Sequence, residues 1–451
     1  MSAAAARTRE LLQAPVLPTL FRLATPNVIG LFATTVVIGY DGYILGRLGA
    51  DVLAGSALVF PLSMLMTQVS AGGIGGAVTA AVARALGGGR RDEANALAQQ
   101  ALLIACALAL VFMLVMLGGG RAIYAAMGGQ GPALDAALAY SGVIFSGAVV
   151  IWLTNVLAAI VRGAGNMVLP SLLMVASAML HLALCPVLVF GWGPLAGLGV
   201  AGAALSMLAS NLLVGAVLAG YLLRGKGTLR LALAGWRPRA ELLRVILRVG
   251  APASLSPVLS NGSIAITTAL IGSYGTAALA GYGVAARLEY IMIPIAFGFG
   301  TALTTLVATN LGAGQHERAL RATWTGGGVV AVITGVIGLV AALAPGLWMN
   351  HFSADPAVLA FGASYLNIVG ASYGLFGLGL ALFFASQGAS RMFWPLTGSV
   401  VRLVFMAVGG WLAIHVWQLP VSGFFVVIAL GFALYAVMIA AAIRLGTWVR
   451  G

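Results

Sequence analysis

Asn95–Gly118 reads NALAQQALLIACALALVFMLVMLG, two dozen residues without a charge, bounded by Arg90-Arg91-Asp92-Glu93 before it and Arg121 after it. At about 1.5 Å of helical rise per residue, roughly 20 apolar residues cross the hydrocarbon core of a bilayer. A helix is the only open-ended element that satisfies its own backbone in lipid. The stretch therefore predicts a spanning helix.

Outward from it the same pattern recurs almost end to end. Apolar windows between charged breaks predict twelve spans, near 21–46, 51–83, 95–118, 134–158, 167–191, 198–223, 248–273, 277–309, 320–346, 357–386, 394–416 and 420–444. No room remains for a soluble domain. Of 451 residues, 61% are hydrophobic and 7% charged, whereas a soluble chain carries roughly a quarter charged residues to keep its surface wet. The expected fold class is an all-α integral membrane protein.

The formal net charge is +13, but the basic residues stand singly or in short joints without aromatic interleaving, which speaks against nucleic acid and for membrane topology. With a cytoplasmic N-terminus, the inner joints hold Arg22, Arg84, Arg90, Arg91, Arg162, the run from Arg224 to Arg248, Arg318, Arg321, Arg391 and Arg444. The outer joints hold Arg47 and Arg121. That asymmetry sets orientation by the positive-inside rule, so both termini are expected in the cytoplasm. Cys106 and Cys185 both fall inside apolar segments, so neither a disulfide framework nor a metal cluster is expected from them. They read as packing residues. The stretch holding Arg7, Arg9, Pro15 and Pro18 lacks the compact apolar core and small-residue cleavage site of a cleaved signal peptide.

The chain also repeats itself at a spacing of about 225 residues. Thr25-Pro26 pairs with Ala251-Pro252, Leu53-Ala54-Gly55 with Leu279-Ala280-Gly281, and Leu86-Gly87-Gly88-Gly89 with Leu311-Gly312-Ala313-Gly314. Gly163-Ala164-Gly165-Asn166-Met167 with Pro170 pairs with Gly388-Ala389-Ser390-Arg391-Met392 with Pro395. Each half holds an even number of spans, so the halves run in the same direction, an arrangement found in secondary transporters. The expected organisation is a tail at 1–20, an N-lobe of six helices at 21–223, a linker at 224–247 and a C-lobe of six helices at 248–445. The linker, with Trp236 and Pro238, is expected along the cytoplasmic lipid surface.

Asp41-Gly42-Tyr43-Ile44-Leu45-Gly46-Arg47-Leu48-Gly49 resembles the first-helix signature of multidrug and toxic compound extrusion (MATE) transporters. Arg162-Gly163-Ala164-Gly165-Asn166, Gly199-Val200-Ala201-Gly202-Ala203-Ala204 and Asn310-Leu311-Gly312-Ala313-Gly314 resemble the joints after helices four and eight and the start of helix six in that family. The resemblance runs from about residue 20 to 445. It implies two six-helix bundles in a bacterial inner membrane. It further implies export of small organic, often cationic, compounds against inward protons or sodium ions, as in the prokaryotic branch whose coupling acid lies in the N-lobe. Membrane lipids and a small-molecule substrate are the expected partners, with a monomer as the working unit and no cofactor.

Two carboxylates, Asp41 and Glu289, lie well inside predicted spans. An acid at the bilayer centre costs roughly 2.5 to 3.5 kcal/mol on insertion scales, so it faces a wet cavity or a partner. A carboxyl shielded from water favours its neutral form, which suits it to take up and release a proton. The resemblance places the N-lobe coupling acid at Asp41. The alternative is an outer-end acid that snorkels, since Arg47 follows six positions later. Glu289 and Arg287 stand two apart and cannot face each other on one helix, so each is read either as a cavity residue or as part of a buried network.

His181 and Cys185 lie one turn apart where the resembling branch carries Asn and Asp. Hard alkali cations need oxygen ligands, so these substitutions argue against sodium. A histidine, with an ordinary pKa of about 6.5, can instead share or relay a proton with Asp41. No metal site is expected, and the coupling ion is expected to be a proton.

Tyr40, Tyr43, Phe60, Met64, Met66 and Gln68, with Tyr282, Tyr290, Met292 and Asn261, are candidates for a cavity that takes flat apolar cations. As a set they carry that reading; singly, each suits lipid or helix packing as well. Pro26 and Pro252 at matching places can kink their helices and are the candidate hinges. The runs Gly72–Gly76 and Gly87–Gly89 lack the Gly-Lys-Ser/Thr ending of a phosphate loop and suit helix packing and a turn. A flippase or exporter of a lipid-linked or polar precursor is the alternative; it would need several cavity cations, and Arg287 and Arg402 are the mid-span ones. An enzyme is not expected, since no His/Glu zinc motif is present.

Overall fold

The structure, a computed structural model, describes residues 3–225, 227–231 and 237–446. Trp236, from the basic linker, lies outside them. A short helix α1 (Ala3–Gln13) precedes α2 (Val16–Gly46), α3 (Ala50–Thr67), a π-helical stretch at Gln68–Ile74, and α4 (Gly75–Gly87). Next come α5 (Arg91–Ala126), α6 (Gly131–Ser146), α7 (Ala148–Gly163) and α8 (Val168–Phe190). An antiparallel hairpin, β1 (Gly191–Trp192) and β2 (Leu195–Ala196), leads into α9 (Val200–Leu223). Then follow α10 (Ala240–Gly272), α11 (Thr276–Gly312), α12 (His316–Leu343), the single turn α13 (Gly346–Met349) and α14 (Pro356–Val369). After a 3₁₀ turn at Gly370–Ser372, α15 (Tyr373–Gly388), α16 (Phe393–His415) and α17 (Val421–Arg444) complete the described chain.

By length and composition, eleven spans among the described residues can cross a membrane, with Ala50–Gly87 and Pro356–Gly388 counted as one each. The pair α6 and α7, bent by 49°, makes the twelfth. The bend falls at Ser146-Gly147, where a Gly/Ser pair weakens the helical ladder. Helix α5 shows why the segments are apolar. Ala101, Ile104, Ala105 and Ala109 are buried on one face, while Leu110, Val111, Leu114 and Val115 are exposed. Small residues let helices approach inside a bilayer, and large ones meet the lipid. The helix also runs past the predicted end at 118 to Ala126. Arg121 ends the apolar window but not the helix, because Tyr124 one turn later is fully buried and holds it in place.

Internal packing divides the chain into two units. One gathers Thr25–Ala251 with the residues up to Ala14 and Gly312–Gly314; the other gathers Pro15–Ala24, Pro252–Leu311 and Gln315 onward. Helices α2 and α10 each contribute to both. The change falls at Ala24–Thr25, beside Pro26, and at Ala251–Pro252.

The repeat is visible as repeated contacts within each unit. Thr79 Oγ1 donates to Ala159 O at 3.0 Å in the first, and Thr304 Oγ1 to Phe384 O at 2.9 Å in the second. Beside these bonds, a Cβ on Gly163 would stand 2.8 Å from Thr79 O, and one on Gly388 2.6 Å from Thr304 O. Both obstacles are helix backbone, which cannot swing aside. Gly388→Ala should therefore cost about 1–3 kcal/mol of overpacking and lower the unfolding temperature of the purified protein. Gly283→Ala, with no atom within 4 Å of the new methyl, should not. Equal melting of the two variants would refute this account of the close approach.

The linker is bonded to α5. Asn95 Oδ1 accepts from Arg230 N at 3.0 Å, and Gln100 both accepts from Arg239 N at 3.1 Å and donates to Arg237 O at 2.9 Å. Two amides of α5 thus hold the basic segment.

Candidate functional site

Helices α2, α8 and α9 build the site in the first unit. In α8, Pro186 has no N–H, so the Leu182 carbonyl one turn earlier loses its helical partner. Tyr40 on α2 donates its hydroxyl to that carbonyl at 3.3 Å. This sets the next residue, Asp41, against the α8 face that carries His181 and Cys185 one turn apart. His181 Nε2 lies 2.7 Å from Asp41 Oδ1, and Cys185 Sγ donates to the same oxygen at 3.8 Å. On the far side of the ring, Ser206 Oγ of α9 lies 3.0 Å from His181 Nδ1 and donates to Ala203 O at 2.8 Å. His181 is 2% exposed, Cys185 and Ser206 are fully buried, and the Asp41 side chain keeps 18% of its surface open.

The hydroxyl geometry has a chemical consequence. With the one Ser206 proton given to Ala203 O, the hydroxyl accepts toward the ring, and in that tautomer Nδ1 is the protonated nitrogen. Nε2 then meets Asp41 across 2.7 Å, a distance that requires a proton between them. Whether written as imidazolium and carboxylate or as imidazole and carboxylic acid, the pair carries one proton. Its removal would set two lone pairs face to face. Arg47 is not the partner of Asp41: it is exposed and lies over the Phe190 ring at 5.1 Å.

The second unit holds a separate polar cluster. Glu289 Oε1 on α11 accepts from Tyr365 at 2.7 Å and Tyr373 at 3.3 Å. Arg402 on α16 is buried, donates to Ser260 Oγ at 3.0 Å and lies over the Tyr435 and Phe432 rings at 5.3 and 5.9 Å. Arg287 takes no part in the cluster. It is exposed, with its guanidinium 5.8 Å from the Phe352 ring centre. Ser372, in the string Gly370-Ala371-Ser372-Tyr373-Gly374, has the spacing of a hydrolase elbow. It sits in a turn between helices with its hydroxyl donated to Val369 O at 2.7 Å, without the strand or base such a nucleophile needs.

The cavity candidates scatter. Tyr43, Phe60, Tyr290 and Asn261 are exposed, and the Asn261 amide turns back to Pro257 O at 2.8 Å. Met64 and Gln68 are half-buried, with Gln68 opening the π-helical stretch, whereas Met66 and Met292 are packed in the interior. Tyr282 is buried with its ring 5.3 Å from that of Tyr365. It supports the Glu289 cluster from behind and does not offer a free face. Sequence reading missed Ser206, Tyr365 and Tyr373. Tyr365 and Tyr373 stand eight positions apart, two helical turns, which was the available signal; Ser206 had none.

A multi-pass helical protein built from two like units, with an acid and an imidazole joined inside one of them, belongs to the class of membrane transporters. The MatE family model matches twice, over residues 26–187 and 252–412, and the chain belongs to the multidrug and toxic compound extrusion family. Its members are transporters, and the protein is accordingly not an enzyme. The chain is 27% identical over 403 residues to an FAD transporter of Shewanella oneidensis, covering 88% of this chain and 87% of that one. It is 25% identical over 372 residues to the multidrug export protein MepA of Staphylococcus aureus, covering 81% and 80%. A solved MOP-superfamily transporter from Pyrococcus furiosus shares the fold with a TM-score of 0.90 over 98% of both chains at 24% identity.

Proposed function

We propose that the protein is an antiporter that exports small organic, cationic or amphipathic compounds in exchange for inward protons, by alternating access. The Asp41–His181 contact of 2.7 Å carries this reading, because it is a one-proton site in a membrane-spanning bundle. The gathered donors are one carboxylate, one imidazole and one thiol, too few oxygens for an alkali cation. Relatives named as multidrug exporters support the substrate class. The test is efflux of ethidium from proteoliposomes under an imposed pH gradient; no efflux of ethidium or of other organic cations under that gradient would refute it.

The FAD-transporting relative favours a second reading, export of a polar endogenous anion. A diphosphate would need several cations, and Arg402, with one hydrogen bond to Ser260, two ring contacts and an Nε unpaired among the described residues, is a single buried charge. Under the first reading Glu289 supplies the attraction for cations. Glu289→Gln should then weaken cationic substrates about tenfold or more while sparing neutral ones; equal loss for both would assign Glu289 to structure. FAD efflux surpassing ethidium efflux in the same vesicles would favour the second.

We further propose a monomer in the bacterial inner membrane; the arginine asymmetry supports placing both termini in the cytoplasm. Single cysteines at Asp51 and Glu93 test this in cells. Position 51 should label from outside and 93 should not; the opposite pattern would invert the topology, and a dimeric mass in detergent would exclude the monomer.

A further inference from the structure

We infer that Asp41, His181 and Cys185 form a binding site for a borderline-soft divalent metal ion, with Zn²⁺ as its natural probe. The sequence assigned Cys185 to packing because two distant cysteines cannot build a cluster. The fold supplies the other donors: one carboxylate oxygen, one imidazole nitrogen and the thiol sulfur all lie within 4.8 Å of one another. Oxygen, nitrogen and sulfur together suit zinc and do not suit sodium, magnesium or calcium.

The geometry is close to what zinc needs. Tetrahedral zinc with Zn–N and Zn–O of about 2.0–2.2 Å and Zn–S of about 2.3 Å sets its ligands roughly 3.3–3.8 Å apart. The Asp41–Cys185 separation is already 3.8 Å. Asp41 and His181, at 2.7 Å, must part by less than about 1 Å, His181 and Cys185 must close from within 4.8 Å, and Asp41 keeps some open surface through which an ion can enter. Zinc-binding histidines characteristically give their other ring N–H to an outer partner, which fixes the ring and the tautomer. Ser206 Oγ stands 3.0 Å from His181 Nδ1, placed to accept that N–H. Three protein ligands leave a fourth position for water, the pattern of an open zinc site.

Charge balance favours the exchange. Before binding, the site holds the proton shared by His181 and Asp41 and the thiol proton of Cys185. Zn²⁺ displaces both as H⁺, leaving carboxylate, thiolate and neutral imidazole around a dication. Two positive charges leave and two arrive, so the low-dielectric interior gains no net charge, and no oxidant or reductant is involved. The binding stands on the donor set alone; only its effect on transport rests on the proton reading above.

The experiment uses the full-length protein in detergent with any affinity tag removed. Titration with ZnCl₂ in a calorimeter should saturate at one ion per chain, weakened at least 10–100-fold in Cys185→Ser and in Ser206→Ala, the range that loss of an outer partner alone produces. MgCl₂ should give no binding heat. Cobalt(II) added to the unaltered protein should show a thiolate-to-metal charge-transfer band, which needs no variant to fold. In proteoliposomes, micromolar zinc should stop efflux by the unaltered protein, and the ratio of efflux with and without zinc should return toward one in Cys185→Ser. Zinc binding of equal strength in Cys185→Ser, magnesium binding as tightly as zinc, or cobalt without a thiolate band would each overturn the site. Zinc bound without effect on efflux would leave the metal site intact and refute the proton assignment.

Discussion

Asp41→Asn protein should insert, fold and bind substrate, yet show no pH-driven efflux above that of empty vesicles. The amide matches the carboxylate in shape and can donate its N–H to His181 Nε2, so the contact seen at 2.7 Å survives with one protonation state in place of two. The expected stability change is that of one altered buried hydrogen bond, on the order of 1 kcal/mol, too small to empty the membrane of protein. Loss of transport with retained ethidium binding in detergent therefore reports on proton exchange and not on folding. His181→Gln should fall between the two, since the carboxyl remains but loses the base that shares its proton. Unchanged efflux in Asp41→Asn would remove Asp41 from the coupling mechanism whatever its contacts.

The spans, their number and the repeat were legible in the sequence because each rests on a property that survives averaging over a window. Twenty apolar residues have one solution in lipid, and a repeated Pro or Gly marks a backbone need that no neighbour can supply. Asp41 and Glu289 stood out for the complementary reason, as charges where none is cheap. What the sequence did not carry is which face of each helix meets which neighbour. His181 and Cys185 could be placed on one face of α8, but nothing in α9 distinguishes Ser206 from Ser210, and the rotation and crossing of two helices decide which serine reaches the ring. The same holds for Tyr40. Its hydroxyl finds the Leu182 carbonyl because Pro186 freed it, a link that needs the two helices side by side. Residue type does not foretell burial either: Tyr282 and Tyr290 stand eight apart on α11, yet one is buried beside Tyr365 and the other exposed. Arg402 was legible as a mid-span charge but not as a residue engaged by Ser260 and two aromatic rings.

The driving ion gives the second large effect. One inward proton at a membrane potential of about 150 mV supplies roughly 3.5 kcal/mol. That sustains a gradient of a few hundredfold for a neutral substrate, at about 1.4 kcal/mol per tenfold. For a monovalent cation exchanged one for one, the potential cancels and only the pH difference drives export. A site able to use sodium would need several oxygen ligands around the ion. Among the described residues Asp41 provides the one carboxylate there; His181 offers nitrogen, Cys185 sulfur, and the Ser206 hydroxyl is taken up by the Ala203 carbonyl and the imidazole nitrogen beside it. Reconstituted vesicles should therefore export ethidium under a pH gradient with sodium absent, and a sodium gradient at constant pH should drive no efflux above background. Sodium-driven efflux abolished by Asp41→Asn would mean that the acid serves a metal cation with backbone oxygens completing its shell. Sodium-driven efflux surviving Asp41→Asn would move the coupling site out of the first unit, to the Glu289 carboxylate with its two tyrosine hydroxyls.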